Sequence, residues 1–423
     1  SLKRMNRKLR FVLLIVGCIL MWVFSLKGNL PQKVYASVPT PTPLPQALVR
    51  FEVEIPSDSP IGEGIELMVL DEVSGLMLNS KRYTMYAKDA THYQIELPFT
   101  VGSVVKYRYL LSGSSNAVEY NGRNQAVRYR LVKIFGAGMV LHDIVARWKG
   151  SQAPANVGTI KGKIVDENGK PIENIYVYCG GYFTITDKQG EFQIDQLLSG
   201  KHLLVAYAPD ESYETFQQEA VVVSEKATVA NFSMKRVPSV TMVFFVDVPK
   251  NTPQKAQVRI AGNIIQLGNT FKELQGGVSG NIQRMPIMKK VGESSYITAI
   301  NLPIGAYIEY KYTLGNGYWN AERDEKGNLL VRSILVPSKG QIIHDEVFSW
   351  QDVQKTPYIY TYTNSSANLG KNIFLRIYVY HWSEPLPMWK ENDQIWTYTL
   401  FSPLKLLPNS PKVEFCVEDV CKN

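Results

Sequence analysis

Two groups of residues have types and spacing that could do chemistry. Cys416 and Cys421 form a C-x4-C pair around Val417, Glu418, Asp419 and Val420, with Glu418-Asp419 able to turn the chain. In an exported protein a disulfide is expected to close such a loop. A metal site would need further ligands close by, and the sequence shows none. The second group lies in residues 302–350, where Trp319 sits in the glycine-rich run LGNGYWNAE, with Lys311 before it and Glu322 after it. A loop of that composition is where an exposed aromatic platform would be placed. Catalysis has no comparable support. The five histidines are scattered, many carboxylates fall in turns, and no G-x-S-x-G, H-E-x-x-H or P-loop occurs. No motif asks for a cofactor.

The elements that must hold these residues read as strands. Tyrosine occurs 24 times, aromatic content is 11%, and alternating runs such as 49–56 and 241–248 recur, which favours sheet over helix. A chain of 423 residues has room for roughly three to four domains.

The net charge of +8 is concentrated at one end, because residues 1–36 hold seven basic residues and no acid. The remainder carries 39 basic and 38 acidic residues. It has no excess of cations to grip a phosphate backbone, so nucleic acid is not an expected partner.

Residues 1–36 read as an export signal, with a basic start, an apolar run at 11–26, and Val34-Tyr35-Ala36 before a cleavage point. The apolar run is short of the ~20 residues of a membrane span. If uncleaved, it would be the only membrane contact. Residues 37–46 form a Pro/Thr linker, VPTPTPLPQ at its core, held near polyproline II.

The expected fold is all-β: tandem immunoglobulin-like or transthyretin-like β-sandwiches behind an N-terminal signal helix. The modules fall at 47–150, 157–236, 238–352 and 357–423. Modules one and three look like copies. KYRYLLSG (106–113) parallels EYKYTLGN (309–316), VRYRLV (127–132) parallels VRSILV (331–336), and HDIVARW (142–148) parallels HDEVFSW (344–350). Trp148 and Trp350 share one repeat position and are expected in the core. Module four matches only the first half of the unit, so the native chain is expected to continue beyond residue 423.

Two family resemblances follow. The spacing Gly158…Gly162…Asp166…Gly169-Lys170-Pro171-Ile172…Thr186-Asp187…Gly190 resembles the carboxypeptidase regulatory-like family, which implies a transthyretin-type spacer. Module three resembles the starch-binding domain family (carbohydrate-binding module family 20 and relatives). The matches are Leu267-Gly268, Leu302-Pro303-x-Gly305, Glu309-Tyr310-Lys311-Tyr312, Trp319 with Glu322, Arg332 with Val336-Pro337, and Ser349-Trp350.

That second resemblance implies a glucan site with Trp319 as platform and Lys311 and Glu322 fixing hydroxyls. The family's second platform falls on Thr270, leaving neighbouring Phe271 to substitute. A flat patch of sugar C–H groups suits an exposed aromatic face.

The expected function is extracellular binding of a polysaccharide, an α-glucan first, by non-catalytic modules of a secreted or cell-surface bacterial protein. Resemblance to the N-terminal half of large secreted proteins implies a glycoside-hydrolase-like barrel downstream; residues 1–423 contain no catalytic site. The alternative is a cell-surface stalk or adhesin without sugar binding.

Overall fold

The computed structural model of the chain describes residues 43–70, 81–113, 117–272 and 280–422. The expected export signal and most of the linker lie outside them. Pro45–Asn423 form one compact unit. No helix among the described residues is long and apolar enough to cross a membrane.

Module one contains β1 (Gln46–Glu54), β2 (Gly64–Val69), β3 (Lys81–Thr84), β4 (Tyr86–Ala87), β5 (His92–Thr100), β6 (Val104–Ser112), β7 (Glu119–Tyr120), β8 (Arg130–Lys133), β9 (Met139–Ile144) and β10 (Arg147–Trp148). Module two contains β11 (Val157–Val165), β12 (Tyr176–Cys179), β13 (Tyr182–Ile185), β14 (Glu191–Leu198), β15 (Gly200–Tyr207), β16 (Phe216–Val222), β17 (Ala227–Val229) and β18 (Phe232–Ser233). Module three contains β19 (Ser239–Asp247), β20 (Arg259–Gly262), β21 (Lys289–Lys290), β22 (Ser295–Pro303), β23 (Tyr307–Thr313), β24 (Arg332–Leu335) and β25 (Ile342–Glu346). Module four contains β26 (Tyr358–Thr363), β27 (Ile373–Tyr378), β28 (Leu386–Pro387), β29 (Trp389–Lys390), β30 (Ile395–Leu400), β31 (Lys412–Val417) and β32 (Val420–Lys422).

The described residues are all-β, as their alternating runs require. In β1, Val49, Phe51 and Val53 point inward while Arg50 and Glu52 do not, because successive side chains leave a strand on opposite faces. β19 repeats this with Met242, Phe244 and Val246 inward. Each module closes two sheets over such a face. In module one they run β4-β5-β1-β9 and β3-β2-β6-β8; in module three, β21-β22-β19-β25 and β20-β23-β24. The first strand pairs antiparallel with β5 or β22, and parallel with β9 or β25. Module two is built from β14-β11-β17, with β18 also on β11, and β13-β12-β15-β16. Module four has β26-β30-β29 and β28-β27-β31-β32.

The copies agree at their ends. Trp148 Nε1 donates to Ser59 Oγ at 2.8 Å and Trp350 Nε1 to Thr252 Oγ1 at 2.8 Å. Both tryptophans are buried. One expected correspondence is corrected. Arg130 pairs opposite Tyr107, and Arg332 opposite Tyr310. Since Tyr107 and Tyr310 are equivalent, Arg332 answers Arg130 rather than Arg128, two residues from the register that VRYRLV and VRSILV give.

Modules one and two each have their own core. Modules three and four share one, running from Met242 to Leu407. A further cluster joins modules one, two and three, through Val104, Tyr129 and Leu131, then Tyr176, Tyr178, Val205 and Tyr207, then Phe271. For this reason β6 is buried on both faces. Val105, Tyr107 and Tyr109 fill the core of module one, while Val104 faces the junction.

Candidate functional site

The loop after β23 is held by its own polar groups. The Thr313 hydroxyl donates to Asn316 O at 2.7 Å. Asn316 Oδ1 accepts the N–H groups of Tyr318 and Trp319 at 2.8 and 2.7 Å. Asn320 adopts φ 57°, a left-handed conformation that asparagine tolerates better than most residues. The turn carries Asn320 into module four. Its N–H donates to Ser402 O at 2.9 Å. Its Nδ2 donates to Thr399 O at 2.8 Å, and its Oδ1 accepts Phe401 N–H at 2.7 Å and Ser402 N–H at 3.2 Å. At Gly315 a Cβ would overlap the Trp319 carbonyl oxygen, so the turn needs glycine.

This loop is a joint between modules, and it does not present a platform. Trp319 is 7% exposed and belongs to the core that modules three and four share. Its ring lies edge-on to Tyr318, with centroids 5.8 Å apart. Lys311 and Glu322 are both 0% exposed. The expected sugar site at Lys311, Trp319 and Glu322 is therefore corrected on burial: none of the three offers a surface to a polysaccharide in this arrangement. A second, smaller brace comes from Asp352, whose carboxylate accepts Leu404 N–H at 2.9 Å and Lys405 N–H at 3.3 Å.

Phe271 is corrected on the same ground. It is 1% exposed and forms part of the three-module cluster. Its ring centroid lies 5.4 Å from that of Tyr207 and 5.9 Å from that of Tyr176. Lys106 Nζ lies 4.5 Å from the Phe271 ring centroid, within range of a cation–π attraction. Tyr129 OH donates to Phe271 O at 3.0 Å. Phe271 thus locks three modules where the family resemblance implied a second glucan platform.

Glu322 has a different role that sequence reasoning missed. It receives two N–H groups of Arg332, Nε at 3.0 Å and Nη2 at 2.8 Å, and its Oε1 also accepts Tyr312 N–H at 3.0 Å. Arg332 Nη1 reaches Asp345 at 3.0 Å, and Asp345 accepts the hydroxyls of Tyr310 and Tyr312 at 2.9 and 2.8 Å.

Module one repeats this network. Arg130 bonds Glu119 at 3.0 and 2.8 Å and Asp143 at 3.1 Å. Tyr107, Tyr109 and the Tyr109 N–H fill the remaining acceptors at 2.7, 2.8 and 3.1 Å. The signal was present in sequence as Tyr-x-Tyr, Arg and His-Asp recurring in order, but the shifted arginine correspondence concealed it.

Electrostatics fits a structural brace. Burial raises the pKa of Glu322, and Arg332 offsets only part of that. Burial alone would lower the pKa of Arg332, but hydrogen bonds and charge from Glu322, with the charge of Asp345, outweigh it and hold the guanidinium protonated. Tyr310 and Tyr312 are pushed well above the ordinary phenol value, first by burial and then by the charge of Asp345. Buried charges survive only when paired and hydrogen-bonded in this way.

Cys416 and Cys421 are joined as a disulfide. They stand directly opposite each other in the β31–β32 hairpin. Glu414 lies close enough to form a three-ligand group with their sulfurs, but its carboxylate pairs with Arg376 at 2.9 Å and bonded sulfurs are not the thiolates a metal takes. Cys179 is a free, buried thiol whose pKa burial pushes up to about 12, which makes it unreactive.

Residues 159–235 match the carboxypeptidase regulatory-like domain family. No curated protein matches the chain. Among solved structures, a streptococcal ancillary pilin is similar at 12% identity over 71% of this chain and 99% of that one, with TM-score 0.26. The minor pilin of Streptococcus agalactiae is similar at 13% identity over 45% of this chain and 97% of that one, TM-score 0.19. A family 15 glucoamylase from Hypocrea jecorina is similar at 20% identity over 29% of this chain and 20% of that one, TM-score 0.21. None of these superpositions is close enough to assign a role.

Proposed function

We propose that this chain is a structural spacer of a bacterial cell surface, built to hold successive β-sandwiches in a fixed relation. One observation carries the reading. The loop with the residue types for a ligand site is instead plugged into the next module, with every side-chain polar atom of Asn320 bonded to module-four backbone. The three-module cluster at Phe271 supports it, since a shared apolar core resists independent swinging of domains. The export signal read at residues 1–36, the Pro/Thr linker and the disulfide support an extracellular setting.

Polysaccharide binding is the competing reading, and it requires the joint between modules three and four to open and free Trp319. Electrophoresis of the protein through gels holding amylose or glycogen separates the two. The spacer reading expects no retardation, with Trp319→Ala running like the parent. Retardation by either polysaccharide that is lost in Trp319→Ala overturns it.

A further inference from the structure

Module one carries on its outer sheet face a group of ionisable residues that its copy does not share. Strands β5, β1 and β9 are adjacent in that order. Glu54 stands opposite His92 on β5, and Glu52 opposite His142 on β9. Both glutamates leave β1 on the side away from Phe51 and Val53, so the four side chains share the outer face. With Asp89 they line a groove of about 480 Å³, whose other wall is Ser199, Gly200 and Lys201 of module two. Register makes Phe245, Asp247, Ser295 and His344 the counterparts in module three. Gly292 answers Asp89, because its N–H donates to Ser295 O as that of Asp89 does to His92 O. The shared scaffold therefore needs neither His92, nor Asp89, nor Glu52.

The two imidazoles are held alike. His92 Nδ1 lies 2.9 Å from Asp89 Oδ1, and His142 Nδ1 lies 3.1 Å from Glu52 Oε2. An ionised carboxylate can only accept. Each Nδ1 therefore carries the proton, and Nε2 of the neutral ring keeps its lone pair. A carboxylate behind one ring nitrogen and a lone pair on the other is the arrangement of a metal-ligating histidine. Asp89 is itself fixed, since its Oδ1 also accepts the N–H groups of Thr91 and His92 at 2.9 Å each.

A carboxylate stands beside these rings. Glu54 Oε2 is 3.9 Å from His92 Nε2, and two donors on one zinc ion stand roughly 3.3 Å apart. Glu54 and His142 are diagonal neighbours, one strand spacing and two residues apart, or about 8 Å between Cα atoms. The side chains of His92, His142 and Glu54 are 49%, 47% and 55% exposed. The three stand apart in the structure and can close on an ion by side-chain rotation alone.

We propose that this groove binds a divalent transition-metal ion of the zinc type through His92 Nε2, His142 Nε2 and the Glu54 carboxylate. Asp89 and Glu52 orient the two rings from behind. Lys88 Nζ lies 3.8 Å from the other oxygen of Glu52, which suits Glu52 to that outer role. Two imidazoles and one carboxylate select zinc-type ions over calcium, which takes oxygen ligands. The fourth position is left to water or an outside ligand. The site stands independently of the spacer reading.

The test is calorimetric titration of the intact, disulfide-bonded chain with zinc chloride, and with calcium chloride for comparison. One zinc ion per chain is expected, with no calcium bound at the same affinity. His92→Ala and His142→Ala, each checked for the parent melting temperature without metal, should weaken zinc binding at least tenfold. Asp89→Asn should weaken it about tenfold or more although Asp89 does not touch the ion. His344→Ala, at the equivalent place in module three, should bind as the parent does. No zinc binding by the parent overturns the proposal. Parent-like affinity in both His92→Ala and His142→Ala places the ion elsewhere and overturns it too, as does calcium binding as tight as zinc.

Discussion

Phe401 donates its backbone N–H to Oδ1 of Asn320 at 2.7 Å, across 81 residues of sequence and from one module to the next. That bond, with the three others at Asn320, converts a glycine-rich loop into a joint. Asn320→Ala should strand the buried N–H groups of Phe401 and Ser402. Each stranded group costs about 1–3 kcal/mol, so the variant should lose a few kcal/mol and should release module four first. Urea unfolding followed by circular dichroism checks this: a single transition as in the parent contradicts it, and an early separate transition supports it.

The paired networks make a quantitative comparison possible. Glu322→Ala leaves Arg332 largely buried without its main partner, and Glu119→Ala does the same to Arg130, which is more deeply buried, with 6% of its side chain exposed against 19%. Breaking one side of such a pair typically costs ~3–5 kcal/mol. The expected order is that Glu119→Ala destabilises at least as much as Glu322→Ala. Denaturant midpoints of the two variants decide it, and a negligible effect of both would remove the bracing role.

At Phe271 the expectation is a cavity shared by three modules. Phe→Ala in a closed core costs about 3–5 kcal/mol. The loss should be seen as faster hydrogen exchange in β6 and β12, which line the cluster, while β26 and β30 are unchanged. Uniform acceleration through all four modules would contradict a local junction.

Alkaline pH should unfold the protein. Tyr107, Tyr109, Tyr310 and Tyr312 all have pKa values raised in the folded chain, burial being the largest cause and Asp143 or Asp345 the next. An unfolded phenol loses its proton near pH ~10. The folded state therefore keeps protons that the unfolded state has released, and stability present below pH ~10 falls as pH rises above it. Tyrosinate absorbance of these groups should appear together with unfolding. Their ionisation near pH ~10 in a still-folded chain would contradict the burial of the network.

Much of the fold was legible in sequence, because the alternation in β1 and β19 is local and because HDIVARW and HDEVFSW repeat without a gap. The site was not legible in the same way. Residue types around Trp319 describe a loop, but its exposure is decided by Thr399, Phe401 and Ser402, which pattern reading cannot bring there. On β6, Lys106 and Arg108 alternate with tyrosines as a solvated face would, yet that face is buried. The Val-Arg pair at 127–128 imitated the repeat two residues too early, and so concealed the arginine that braces each copy.

The most direct measurement is hydrogen exchange of β23 and β30, the strands on either side of the joint, in the intact chain and in Asn320→Ala. A true joint predicts that both strands of the parent exchange with the same opening free energy and the same denaturant dependence. It also predicts that Asn320→Ala uncouples them, with β30 exchanging faster while β23 is little changed. Independent exchange of β23 and β30 in the parent would contradict the account, because Trp319 would then be free to leave module four and meet a ligand.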